Sequence, residues 1–262
     1  MVMGNDNQER LFERILCSVN HDVRAAMLLT GALGTPDTAT QIRKNLISFL
    51  GNSTLLPGDA SFINYCTILE TYGFAESSIA TNRATTQEVT HWGITQDGVR
   101  YAVPAAALSI RASNLFGVST YHLLGKTGTP PRSKSRAAFN AGRIFKTLYY
   151  EGKIGEREFA ELLGMYQSDV RGQCVKFSDL GFVERTFGVY NYRGLTGKKA
   201  FDMLTVSGEE LTEQLILPIW IVSGDRHYRS KEYRTALTEY SNKGKMRKEI
   251  INSLTMLYQK KK

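Results

Sequence analysis

The sequence predicts a mainly α-helical chain with small β-hairpins, of the α+β class, in which one structural unit occurs twice. Three observations lead to this prediction: a segment of the chain repeats without gaps, a hairpin-like pattern follows each copy, and a segment rich in Gly, Thr, Pro and Ser separates the copies. The length of 262 residues suits two domains of ordinary size. We therefore expect a duplicated fold.

The repeated segment covers residues 58–76 and 166–184, GDASFINYCTILETYGFAE and YQSDVRGQCVKFSDLGFVE. Apolar residues recur in both copies at i, i+4 and i+7, which is the stripe of an amphipathic helix with one buried face. Cys66 aligns with Cys174, and a glycine follows each helix where a left-handed residue is favoured. We predict the same helix in both halves.

Each copy continues into two strand-like segments joined by a polar turn. These segments are residues 74–80 and 88–95 in the first half, and residues 182–190 and 200–206 in the second. A helix start with a hydroxyl residue and acids follows each hairpin, Thr95-Gln96-Asp97-Gly98 and Ser207-Gly208-Glu209-Glu210. The following helices contain Pro104 and Pro218, where we expect a kink or a break.

Three helices, a two-stranded wing and a closing helix, used twice, predict tandem winged-helix domains with a C-terminal helical extension. The predicted boundaries are unit 1 at 1–123, a basic linker at 124–136, unit 2 at 137–224 and a basic helical tail at 225–262. The linker composition cannot hold a helix. In the tail, Gly244 should divide two helices, and each helix should pack an apolar stripe on the body or on a partner subunit and show a basic face.

Helices are predicted in the second unit at 135–150, 156–163 and about 168–180. The segment AELLGMYQSDVRGQCVKFSDLGFVE, 160–184, resembles the winged helix-turn-helix transcription regulators, especially those related to the MarR and ArsR families and their archaeal relatives. Ala160 matches the small residue where the two helices approach, Gly164 the turn glycine and Val170 the inward β-branched residue. The resemblance implies that the third helix of this unit enters the major groove of duplex DNA.

The candidate DNA-binding residues lie on this helix, the wing turn and the linker. On the helix we expect contacts from Gln167, Ser168, Arg171, Gln173 and Lys176; on the wing from Arg193, Lys198 and Lys199; and on the linker from Arg132, Lys134 and Arg136. Arg and Gln can pair with base edges, while Lys and Ser contact phosphates. Gly172 and Asp169 depart from the pattern, because a mid-helix glycine costs about 1 kcal/mol and a carboxylate repels phosphate. Shape and backbone recognition therefore fit better than base reading.

The first unit differs at the corresponding positions. Ile63 and Ile68 stand where the second unit has Arg171 and Lys176, and its wing turn offers only Arg83. Isoleucine side chains are better suited to contact with another protein than with DNA, so we expect this unit to serve assembly or dimerisation. The alternative is that the alignment is one residue off and the isoleucines are core residues.

Composition and motifs bound the function. The net charge of +8 implies an acidic partner, either nucleic acid or an anionic membrane. The three cysteines and four histidines are scattered, which argues against a disulfide framework or a zinc site. No phosphate-binding, dinucleotide or nucleophile-elbow motif occurs, and Glu156, Glu158 and Glu161 are assigned to a solvent face, so we expect no enzyme activity and no cofactor.

The leading hypothesis is a DNA-binding transcriptional regulator with double-stranded DNA as its partner. We expect a homodimer, or a partner protein bound through unit 1 or the C-terminal helices, no membrane association, and a cytoplasmic, nucleoid-associated location. One alternative is a tandem winged-helix scaffold subunit of a multiprotein complex. An RNA-binding protein is a third possibility, although no aromatic stacking motif favours it.

Overall fold

The computed structural model describes residues 6–81, 87–125, 136–192, 195–224 and 231–259. Side chains are described throughout these ranges except at 190–198 and 231–232. These residues are mainly helical and include two small antiparallel sheets, which confirms the predicted α+β class. Among them, no helix combines the length and apolar character needed to cross a membrane.

The first half begins with four helices, followed by a hairpin and two more helices. The elements are α1 (Asp6–Val19), α2 (Asp22–Leu29), α3 (Ala39–Leu50), α4 (Asp59–Thr71), β1 (Ala75–Thr81), β2 (Glu88–Ile94), a π-helical turn (Gly98–Ala102), α5 (Val103–Phe116) and α6 (Thr120–Leu124).

The second half has three helices and a short strand before its hairpin, then a closing helical segment and a tail. The elements are α7 (Ala137–Glu151), β3 (Ile154–Gly155), α8 (Glu156–Leu163), α9 (Gln167–Asp179), β4 (Val183–Tyr192), β5 (Leu195–Leu204), α10 (Val206–Leu211), a π-helical turn (Thr212–Ile216), α11 (Leu217–Gly224), α12 (Lys231–Glu239) and α13 (Lys243–Tyr258).

The two sheets share one arrangement. In the second half the strand order is β3-β5-β4, all antiparallel, with Ile154 opposite Asp202. In the first half β1 pairs with β2, and a single bridge between Asp37 and Trp92 takes the place of the third strand. Trp92 and Asp202 each lie three residues before the threonine that precedes the next helix. The hairpins are therefore placed alike in both halves.

A threonine joins each hairpin to the next helix in the same way. The hydroxyl of Thr95 accepts the N–H of Gly98 at 3.0 Å and donates to the carbonyl of Gly73 at 2.9 Å. Thr205 makes the matching bonds to Gly208 and Gly181 at 3.1 and 2.7 Å. The predicted start at Ser207 was wrong by two residues, because the capping hydroxyl belongs to Thr205, whose extended backbone precedes the helix.

The helices that follow do not break at their prolines. A π turn precedes each proline instead: Val103 donates its N–H to the carbonyl of Gly98, and Leu217 donates to that of Thr212. A proline lacks an N–H and its ring collides with the carbonyl four residues back, and the wider π turn accommodates both effects. Pro104 and Pro218 thus leave the helices continuous.

One hydrophobic cluster runs through both halves. Helix α1 of the first half packs on α7 and α11 of the second, and the Phe12 ring meets the rings of Phe139 and Trp220 edge-on at 6.3 and 5.2 Å. The tail helices α12 and α13 pack on α5. The tail stripe therefore covers the chain's own first half.

The tail helices divide before Gly244 rather than at it. Asn242 precedes α13 and its side chain accepts the N–H groups of Gly244 and Lys245 at 3.0 and 3.1 Å. Gly244 consequently lies in the first turn of α13, where the asparagine cap fixes the helix start.

Candidate nucleic-acid interface

A groove of about 1090 Å³ lies between α8, α9 and the β4–β5 hairpin; we call it the second-half groove. Helix α9 supplies one wall, through Gln167, Arg171 and Val175. The hairpin supplies the other wall with Arg185, Phe187, Lys199 and Ala200, and α8 lies along the groove with Glu156, Arg157, Glu158 and Glu161. The groove therefore contains two of the predicted DNA-binding residues of α9.

Glu156 lies at the bottom of this groove, and the prediction that it faces solvent was wrong. Its side chain is only 4% exposed, because three donors converge on the carboxylate. Gln167 Nε2 donates at 2.8 Å and Arg171 Nε at 2.9 Å, and Arg185 Nη2 donates to the second oxygen. A carboxylate at the first position of α8 also lies at the positive end of the helix dipole.

The donors keep Glu156 ionised. Burial by itself raises the pKa of this carboxyl, but the hydrogen bonds from Arg171 and Gln167 and the charges of Arg171 and Arg185 outweigh burial and leave the pKa below its ordinary value. Glu156 is thus an anion matched to two guanidinium groups.

Arg185 connects this anion to a second buried acid. Its Nη1 lies 3.8 Å from Oδ1 of Asp202, which is fully buried beside Cys174. Burial raises the pKa of Asp202, and the charge of Arg185 opposes that rise. Arg171, Glu156, Arg185 and Asp202 therefore form a row of alternating basic and acidic side chains that runs from the surface into the core.

The groove is close to electrically neutral. Its lining includes three carboxylates and four cations, and Arg157 is paired with Glu161 at 3.0 Å. Exposed apolar groups complete the walls, with Phe187 68% exposed and Val175 also largely outside the core. A ligand in this groove would therefore meet a defined shape and hydrogen-bond donors, but no strong positive potential.

The predicted residues of α9 divide into two sets. Gln167, Ser168 and Arg171 are exposed near the start of the helix, as expected. Gln173 and Lys176 were expected to point outward but are half-buried. Oε1 of Gln173 is shielded from solvent, and Nζ of Lys176 donates to the carbonyl of Leu123 at 2.8 Å. The end of α6 lies beside α9 at this point, which the repeat pattern could not show.

The predicted wing and linker cations have different positions. Nζ of Lys199 is 5.1 Å from the ring centre of Phe201 and the side chain is half-buried. The backbone of Lys198 pairs with that of Val189, and its side chain lies outside the described residues. Arg193, Arg132 and Lys134 lie outside the described residues as well.

Arg136 does not lie free beside the groove. Its Nε and Nη2 donate to the two oxygens of Glu13 in α1 at 2.7 and 2.5 Å. These hydrogen bonds are the main cause of the raised pKa of Arg136, and burial partly opposes them. This predicted DNA-binding residue bridges the linker to the first half.

In the first half, the two isoleucines of α4 differ in burial. Ile63 is 48% exposed, whereas Ile68 is buried, so only Ile63 can contact a partner without rearrangement. The expectation of an apolar surface at both positions was wrong for Ile68, because α4 buries that side against its own half.

Sequence reasoning missed Arg185 and Asp202. Alternation along a strand was the available signal: residues i and i+2 share a face, so Arg185 lies on the same side of β4 as the buried Val183. A cation at an inward position predicts a buried acid nearby.

Comparisons with protein-family models, with curated proteins and with solved structures found no match.

Proposed function

We propose that this chain is a DNA-binding protein of tandem winged-helix type that contacts duplex DNA through its second half and acts as a transcriptional regulator. The observation that carries the proposal is the order α7–β3–α8–α9–β4–β5 with sheet order β3-β5-β4, which leaves the first turns of α9 exposed beside a long hairpin. A helix presented in this way can enter the major groove while the hairpin follows the adjacent backbone.

The charge distribution indicates how such binding would work. Arg171 is already paired with Glu156, so α9 contributes hydrogen-bond donors and little net charge. Most of the electrostatic attraction must then come from cations outside α9, and the next hairpin of the sequence carries three of them near its turn, Arg193, Lys198 and Lys199. The proposed mode is recognition of the DNA shape and backbone, with α9 fixing the register.

The test is the salt dependence of duplex binding. Fluorescence anisotropy with a random-sequence duplex should show an affinity that falls steeply with salt, and the R193A/K198A/K199A variant should flatten the log–log slope by about 2 to 3. The matched control K44A/K243A/K248A removes the same charge from exposed positions on α3 and α13 and should change the slope by less than half as much. An affinity that is absent or independent of salt would refute the proposal.

A second candidate function is a protein-interaction scaffold. The near-neutral groove and the exposed side chains of Val175, Phe187 and Val189 favour it, since apolar groups rimmed by charges are typical of protein interfaces. Under this alternative the wing-turn variant leaves any weak duplex binding unchanged, and replacing Phe187 by serine abolishes association with the partner protein.

The proposed assembly role rests on the first half. The tail helices bury their apolar stripes on α5, and we therefore propose the first half as the place of the assembly contact. Ile63 and Ile79 remain exposed on α4 and β1, and we assign any homodimer or partner contact to them.

A further inference from the structure

We infer that Glu156 is a positioning residue for DNA recognition: it holds Arg171 and Gln167 in one fixed arrangement and cancels the charge of Arg171, so that α9 recognises the shape of the DNA groove by hydrogen-bond geometry rather than by attraction. This inference rests on the proposed function. Nothing in the predicted helix-turn-helix pattern assigns a role to this carboxylate.

The geometry supports a fixed arrangement. Glu156 Oε1 accepts from both Gln167 and Arg171, at 2.8 and 2.9 Å, so one atom aligns two side chains that lie one turn apart on α9. The carboxylate itself cannot move freely, because Arg185 holds its other oxygen from the hairpin side. Three elements, α8, α9 and β4, therefore determine where Arg171 lies.

The arrangement leaves Arg171 able to bind. Its side chain is 60% exposed, and a guanidinium has five N–H donors, of which the one at Nε donates to Glu156 Oε1 while Nη2 lies 2.7 Å from the same oxygen. The Nη1 donors remain directed away from the carboxylate. A surface arginine normally loses much rotamer freedom on binding, and here that freedom is already restricted before DNA arrives.

The positioning role of Glu156 can be tested by a substitution that leaves the groove folded, because Arg185 has a second acidic partner in Asp202. If Glu156 is replaced by glutamine, Arg185 keeps Asp202 at 3.8 Å as a partner, and the single amide oxygen can accept from Arg185, so that the amide NH2 group faces Arg171 and cannot accept its Nε–H. Glu156→Gln is therefore a mild change in shape that releases Arg171 from its ion pair. Glu158→Gln is the matched control, because Glu158 lines the same groove on α8 but is exposed and carries the same charge.

The first readout is discrimination between a site selected from a randomised duplex library and a random-sequence duplex. E156Q should bind the random duplex severalfold more tightly, with a salt slope steeper by about 0.9, and its discrimination ratio should fall about tenfold. E158Q should also bind the random duplex more tightly but keep the wild-type ratio. Equal ratios in E156Q and E158Q would overturn the inference.

The second readout needs no DNA and separates this inference from the proposed function. In ¹⁵N–¹H spectra, the Nε–H signal of Arg171, assigned with R171K, should be protected from solvent exchange in the wild type and E158Q, and unprotected in E156Q. Equal protection in all three proteins would overturn the positioning role. If protection behaves as expected but no protein binds duplex DNA, the proposed function fails while the fixed arrangement stands.

Discussion

Buried charged groups in the first half are matched by neutral partners rather than by opposite charges. Asp22 accepts the hydroxyls of Ser113 and Ser253, which joins α2 to α5 and α13. Arg24 is fully enclosed and donates to the carbonyls of Cys17 and Ser18 at 3.0 and 2.9 Å, at the end of α1. Since an uncompensated buried charge is costly, these hydrogen bonds make the α1–α2 corner a rigid part of the core.

His21 lies at this corner, and its hydrogen bond with Val23 requires the neutral imidazole. Its Nδ1 accepts the N–H of Val23 at 3.3 Å as the N-cap of α2, and its Nε2 lies 3.4 Å from the hydroxyl of Tyr65. Burial is the main cause of its lowered pKa, and the charges of Arg24 and His122 lower it further. The folded chain thus takes up a proton at this position only well below pH 6.5.

A pH-dependent loss of stability follows. Because the folded pKa is below the unfolded value near 6.5, the unfolded chain binds the extra proton first as the pH falls, and stability declines by up to about 1.4 kcal/mol per pH unit below 6.5. H21N keeps a capping side chain without a titrating ring, so its urea-unfolding free energy should change less between pH 7 and pH 5. The control H91N should retain the wild-type decline, and an identical decline in H21N would contradict the assignment.

At the scale of elements, the sequence pattern predicted the helix bounds, because contacts between neighbouring residues determine them. The bounds of α8 match the prediction, and α9 is displaced by one residue, because the apolar period and the flanking glycines fix both helices. The position of α6 beside α9 and the burial of Glu156 depend on contacts between residues distant in sequence. The sequence pattern therefore predicted the helices that form the wall of the groove, but it did not predict that Glu156 is buried there.

Gly172 in α9 is an element-scale feature that the chain's own packing does not explain. A Cβ at this position would meet no atom within 4 Å, so the folded chain has no steric need for glycine in the middle of the helix. We expect G172A to stabilise the protein by about 1 kcal/mol, raising Tm by about 2 to 4 °C. Under the proposed function, glycine permits close approach of a DNA backbone, so the same variant should bind duplex DNA more weakly.

Thermal unfolding and anisotropy measured on one preparation would check both halves of this prediction. G244A in α13 is the control: it also replaces a helical glycine, where a Cβ would lie 3.3 Å from Asn242 Oδ1, but it is remote in sequence from α9. G244A should leave DNA affinity unchanged. Tighter or equal binding by G172A would show that no DNA backbone closely approaches this part of α9.

At the scale of the whole molecule, the two halves of the chain contribute to one hydrophobic core. The predicted boundaries divide the chain at 124–136, yet one hydrophobic cluster spans both sides of that segment. Phe12 of α1 contacts aromatic rings of α7 and α11, and Arg136 pairs with Glu13 of α1. The duplication was visible in the sequence because it is a local pattern, whereas the fusion of the two cores was not.

A shared core predicts one cooperative unfolding transition, and the two tryptophans allow a direct test. Trp92 lies in the first half and Trp220 in the second, so W220F and W92F each report one half by fluorescence. In each variant, the urea midpoint reported by the remaining tryptophan should coincide with the midpoint from far-UV circular dichroism of the same protein. Adding F12A should lower the unfolding free energy by about 3 to 5 kcal/mol in both backgrounds, because the cavity lies between the halves. Two separate midpoints, or a shift confined to one tryptophan, would show that the halves unfold independently and that α1 belongs energetically to only one of them.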